Sequence, residues 1–123
     1  MPNVSVTITG HTSGIGLAIS KCLSEAGYDV HGLSRSNGFN LKENYSKVLN
    51  RVLDLDSDYF INNVYVPDKQ LELLKSVYNV WKFRKKLIVN ICSVAALVPQ
   101  DHPDFLTEYT TNKRDQRQFC MSN

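Results

Sequence analysis

The octapeptide Thr9-Gly10-His11-Thr12-Ser13-Gly14-Ile15-Gly16 constrains this chain more than any other stretch. It follows an alternating apolar run, Val4, Val6 and Ile8, that reads as a strand. It opens a helical stripe made of Ile15, Ala18, Ile19, Cys22, Leu23 and Ala26. Gly10 can take backbone angles closed to residues with a side chain. Gly14 lets the main chain approach a pyrophosphate, Gly16 lets the helix pack close to the strand, and the free amides at the helix start face the phosphates. Strand, glycine turn and helix together describe a dinucleotide cradle.

The rest of the chain alternates in the same manner. Gly27 stops the first helix and Tyr28 to Leu33 resumes a strand, so the chain begins as a βαβ unit. Ser34 to Gly38 is rich in turn residues, and Gly38-Phe39-Asn40-Leu41 reads as a very short third strand. From Lys42 the pattern is helical, with Tyr45, Val48, Leu49, Val52, Leu53 and Leu55 near one face until Asp56-Ser57-Asp58 breaks it. Tyr59 to Val66 reads as a β run stopped by Pro67. Asp68 is placed to cap a long helix through about Lys85, with Leu71, Leu74, Val77, Tyr78 and Trp81 inward. Leu87 to Ile91 is a continuous apolar strand of the type buried on both faces. A loop from Pro99 to Asp104 leads to a last helix from about Thr107 to Phe119. The alternation predicts an α/β, doubly wound parallel sheet of about five strands with helices on both faces. Residues 1–123 form one domain on this reading.

Four landmarks, in order, resemble the short-chain dehydrogenases/reductases. Thr9 to Gly16 fits that family's TGxxxGIG loop, and Asn62-Asn63-Val64-Tyr65 resembles its NNAG strand end. Ile88-Val89-Asn90-Ile91-Cys92-Ser93 resembles the strand carrying its catalytic serine, and Tyr109-Thr110-Thr111-Asn112-Lys113 fits YxxxK. The chain resembles an unusually short member that lacks the last strands of the family fold. The resemblance implies a hydride transfer between a nicotinamide dinucleotide and a carbonyl or alcohol. In that scheme Ser93 polarises the substrate oxygen, Tyr109 exchanges the proton, and Lys113 supports Tyr109 and holds the nicotinamide ribose. Asn79 stands as the candidate for the family's helix asparagine.

The chemistry accounts for these residue types. A tyrosine hydroxyl has an unperturbed pKa of about 10, too high for an efficient base near neutrality. A neighbouring ammonium stabilises the phenolate, and a serine hydroxyl can donate to an oxygen that gains negative charge. The cofactor would rest on Gly10, Thr12, Ser13, Gly14, Ile15 and Gly16 at the turn, with Asn62, Asn63 and Val64 beside it and Tyr109 and Lys113 at the ribose. Ser34 and Arg35 end the second strand where an acidic residue would select NAD(H). A guanidinium suits phosphate, so NADP(H) is favoured, and the resemblance implies that Asn40 and Leu41 stand beside the adenine.

Composition excludes several other classes. A net charge of +2 gives no strong pull toward nucleic acid or membrane, and no apolar run approaches the roughly 20 residues of a bilayer crossing. Three cysteines without CxxC spacing argue against a disulfide framework or zinc site, and Cys120 reads as part of a loose tail. His11, His31 and His102 lack ligand spacing, so no metal is expected. The expectation is a cytoplasmic protein, self-associating as a homodimer or homotetramer through its open last strand. Two rivals remain: a dinucleotide-binding or regulatory protein of this fold without turnover, and a nucleic-acid module using Lys82-Phe83-Arg84-Lys85-Lys86. Those cations more simply complement the end of the long helix.

Overall fold

The computed structural model describes residues 3–123. Strand β1 (Ser5–Thr9) leads through the glycine turn into helix α1 (Gly14–Glu25), then β2 (Asp29–Leu33) and a 3-10 turn at Arg35–Asn37. Helix α2 (Tyr45–Leu55), β3 (Tyr59–Asn62), α3 (Lys69–Trp81) and β4 (Leu87–Asn90) follow. A second 3-10 turn (Val94–Leu97) precedes α4 (Glu108–Ser122). The four strands pair parallel in the order β2-β1-β3-β4, with Ile8 opposite Gly32 and Ile61, and Ile61 opposite Val89. No helix among the described residues is long and apolar enough to cross a membrane.

Strand alternation sends side chains to two cores. Leu33, Phe60 and Ile88 face α2 and α3, where Val48, Val52, Leu73, Val77 and Trp81 close the larger cluster. Phe60 meets Trp81 edge-on, with ring centroids 6.4 Å apart. On the opposite face Val6, Ile8 and Ile61 pack against Ile19 and Leu23 of α1. Among the described residues that face carries a single helix, α1. Leu87 and Val89 therefore remain 50% and 38% exposed, and β4 is buried on one face only, contrary to the sequence expectation. The α1 stripe is likewise rotated: Gly16 and Ser20 are buried, whereas Ile15, Ala18 and Cys22 are exposed.

Local chemistry explains the other departures. The short third strand expected at Gly38 to Leu41 is a turn, because the Asn40 side chain accepts from the N–H groups of Lys42 (3.0 Å) and Glu43 (3.3 Å). Leu41 then plugs the larger core. The β run stops at Asn62, since Asn63 and Val64 donate their backbone N–H groups to the Thr9 hydroxyl. Asp68 precedes α3 in the left-handed region (φ 63°) with no side-chain cap, and its N–H donates to Asn112 Oδ1 at 2.6 Å. Cys120 lies within α4, not in a loose tail. Arg84 and Lys86 grip Asp56 beyond the end of α2: Arg84 bonds its carboxylate at 2.7 and 2.9 Å, and Lys86 Nζ donates to the carbonyls of Asp56 and Ser57. The helix end these cations serve is α2, not α3.

Candidate functional site

The glycine turn is built by close approach. Gly10 takes φ +74°, and its N–H donates to Leu33 O at 2.7 Å. A Cβ at Gly16 would stand 1.9 Å from the Gly10 carbonyl oxygen, so only glycine lets α1 start against the turn. Asn63 Nδ2 fastens the carbonyls of Thr9 (3.1 Å) and Gly10 (3.3 Å) from the β3 side.

This clamp leaves donors free. The first bond of α1 runs from Leu17 N–H to Ser13 O, and Ser13 offers no side-chain cap. The amides of Gly14, Ile15 and Gly16 thus have no partner in the helix, and the helix dipole adds positive potential there. A Cβ at Gly14 would have no atom within 4 Å, so this end is open. A groove of about 930 Å³ passes the turn; Gly10, Thr12 and Ser13 line it beside Ser34, Arg35, Asn40 and Leu41, and beside Asn63, Val64 and Tyr65. Its size and mixed lining suit a small-molecule site. Arg35 is exposed and joins no ion pair among the described residues. His11 stacks its ring on Gly32 of β2, where a Cβ would meet it at 2.1 Å.

Ser93 follows β4 and caps the 3-10 turn Val94–Leu97, its hydroxyl accepting from Ala95 N–H at 3.1 Å. That turn packs on α4, whose first turn carries Tyr109, 42% exposed. No hydrogen bond joins the Ser93 and Tyr109 side chains among the described residues. Lys113, one turn further along, is buried at 3% exposure. Its ammonium donates to Gln70 Oε1 (2.8 Å) and Ile91 O (3.0 Å). It also lies 5.3 Å from the Tyr65 ring centroid and 5.7 Å from that of Tyr109. Burial pushes the Lys113 pKa down, and the neighbouring Cys92 opposes this weakly. Burial, then the charges of Glu108 and Asp68, push Tyr65 up.

Three residues that sequence reasoning missed complete this region. Gln70 and Gln116 are fully buried, and Asn90 links them to the site: Asn90 Nδ2 donates to Gln116 Oε1 (2.9 Å), while Asn90 Oδ1 accepts from Asn62 Nδ2 (2.9 Å). Gln70 Nε2 donates to Asn62 O at 3.0 Å. Asn62, expected at the cofactor, is wholly buried in this network and does not line the groove. Asn79 is exposed near the end of α3 and has no bond to Lys113; the residue of that helix that meets Lys113 is Gln70. The signal for Gln70 was its place on the α3 stripe with Leu73, Leu74, Val77 and Trp81.

No protein-family model matches the sequence, and no curated protein matches it. Solved structures do. The 3-alpha-hydroxysteroid dehydrogenase of Pseudomonas sp. B-0831, complexed with NADH, has a TM-score of 0.65 at 20% identity, over 96% of this chain and 56% of its own. A short-chain dehydrogenase from Leptospira borgpetersenii with bound NAD+ matches with a TM-score of 0.65 at 19% identity, over 95% of this chain and 63% of its own. The bulky-bulky ketone specific alcohol dehydrogenase from Comamonas testosteroni reaches 0.66 at 16% identity, over 99% of this chain and 68% of its own. At such identities the likeness is one of fold: the chain has the Rossmann-type fold of the short-chain dehydrogenases/reductases, and it spans less than two thirds of the first two of these proteins.

Proposed function

We propose that this chain is an oxidoreductase of the short-chain dehydrogenase/reductase type, binding a nicotinamide dinucleotide and acting on a small carbonyl or alcohol. The observation that carries this reading is the set of unpartnered amides at Gly14, Ile15 and Gly16, which open beside a groove large enough for a dinucleotide. The residues present fit such a group: the open start of α1 can take the diphosphate, and Asn63 holds the turn in shape. When bound, the nicotinamide supplies or accepts the hydride. Two of the similar structures contain NADH or NAD+. The preference of this chain for NADP(H) rests on Arg35, an exposed guanidinium on the groove with Ser34 and Ser36 beside it.

In this reading Ser93 donates to the substrate oxygen, which requires its hydroxyl to point its proton away from Ala95 N–H. Tyr109 delivers or removes the proton, and Lys113 supplies positive charge next to it. A carbonyl panel assayed with NADPH tests this. Tyr109→Phe is expected to cut turnover by about a hundredfold or more while NADPH still binds; an unchanged rate would remove Tyr109 from the reaction.

A second reading is dinucleotide binding without turnover. It is favoured by the enclosure of Lys113, whose ammonium meets, among the described residues, Gln70, Ile91 and two aromatic rings. NADPH binding with no turnover across the panel would select it. In either reading the open edge of β4 favours a homodimer or homotetramer.

A further inference from the structure

Tyr65 occupies a position that neither the fold nor the proposed chemistry explains. It follows β3 by three residues, in the loop tied to the glycine turn through Asn63. Its ring is half-buried and meets Tyr109 edge-on, with centroids 4.8 Å apart and planes at 76°. The Lys113 ammonium lies 5.3 Å from its centroid. Tyr65 also lines the groove, whereas Tyr109 and Lys113 do not.

These contacts make Tyr65 the partition between groove and ammonium. Lys113 carries three protons, and two are directed at Gln70 Oε1 and Ile91 O. The remaining side of the charge is covered by the faces of Tyr65 and Tyr109. A ligand hydroxyl entering from the groove must therefore exchange with the Tyr65 ring before it reaches the ammonium. Resting on the proposed dinucleotide reading, we infer that Tyr65 is a gate at the nicotinamide end of the groove: its ring holds Lys113 by a cation–π contact until ribose hydroxyls displace it. The phenol makes no hydrogen bond among the described residues, so the ring itself is the working part.

Such a gate taxes only ligands that reach Lys113. Displacing one aromatic pair and one cation–π contact weakens their binding by about tenfold. A ligand confined to the adenosine end pays nothing. The test is therefore a pair of titrations, NADPH by fluorescence and adenosine 2′,5′-bisphosphate by calorimetry, on wild type, Tyr65→Ala and Tyr65→Phe. Tyr65→Ala is expected to bind NADPH about tenfold more tightly and the bisphosphate unchanged, and Tyr65→Phe to match wild type with both. If the loop does not tolerate alanine, Tyr65→Leu keeps the bulk without a π face and is expected to shift NADPH in the same direction. NADPH affinity unchanged or weakened by Tyr65→Ala, in proteins that all bind the bisphosphate, would overturn the gate and leave the dinucleotide reading standing. An equal change with both ligands would also overturn it, since the residue would then act through the fold. Failure of folded wild type and variants to bind either ligand would overturn the dinucleotide reading itself.

Discussion

Lys113 shows how much one buried side chain can organise. Lys113 is nearly inaccessible, and the side-chain amide oxygen of Gln70 is one of two acceptors that hold its ammonium. Gln70→Leu removes that acceptor and should cost about 2 kcal/mol of stability by chemical denaturation. Adding Lys113→Met should recover part of the loss, because removing both members of a buried polar pair is milder than removing one. The pH dependence follows from the same burial. The folded-state pKa of Lys113 lies below the usual 10.5, so between those two values the unfolded chain binds more protons. Wild-type stability relative to Lys113→Met should therefore rise with pH toward 10.5 and be least favourable below the lowered pKa. A flat difference would place the ammonium in contact with water. The glycine turn was legible in the sequence because Gly10 and Gly16 answer to steric facts of one short loop. Gln70 was marked only by its place on the α3 stripe and Gln116 not at all, since a glutamine on a helix reads as solvent-facing until its partner, here 43 residues away for Gln70, is known.

At the scale of elements, α4 docks through polar groups rather than an apolar stripe. Its buried residues are Thr110, Asn112, Lys113 and Gln116, each a poor signal in a hydrophobicity pattern. The helix itself was readable, capped by the Thr107 hydroxyl accepting from Thr110 N–H, but its full extent to Ser122 and its docking face were not. The last strand was placed correctly and its environment was not: an unbroken apolar run is the same whether one face or two are covered. Val89→Lys should accordingly cost under about 0.5 kcal/mol in thermal denaturation, as for other surface changes, whereas Phe60→Ala in the larger core should cost about 3 to 5 kcal/mol. Comparable losses would mean that the β4 face is covered. The clamp beyond α2 makes a separate prediction. Hydrogen bonds from Arg84, then Lys86, hold the Asp56 carboxyl at about 2, below the usual 3.8. Its stabilisation is present above pH 3.8 and is lost as pH falls through about 2. Asp56→Asn keeps a residue that tolerates φ 47°, so its cost should be only about 0.5 to 1 kcal/mol at pH 7, the pair being half exposed, and should vanish near pH 2. A loss that persists in acid would assign the effect to the backbone instead.

For the molecule as a whole, four parallel strands bring the ends of β1, β2 and β3 to one edge, where the groove lies. In the proposed function the start of α1 grips a dinucleotide diphosphate. Ser13→Asp separates that role from folding, because an aspartate at this position supports the helix through its dipole yet repels a bound phosphate. NADPH fluorescence titration of wild type and Ser13→Asp, each checked by thermal melting, is the most direct measurement. Wild type should bind, and Ser13→Asp should melt no lower and bind more than about tenfold more weakly. Equal binding by the two proteins, or no binding by folded wild type, would rule out that grip.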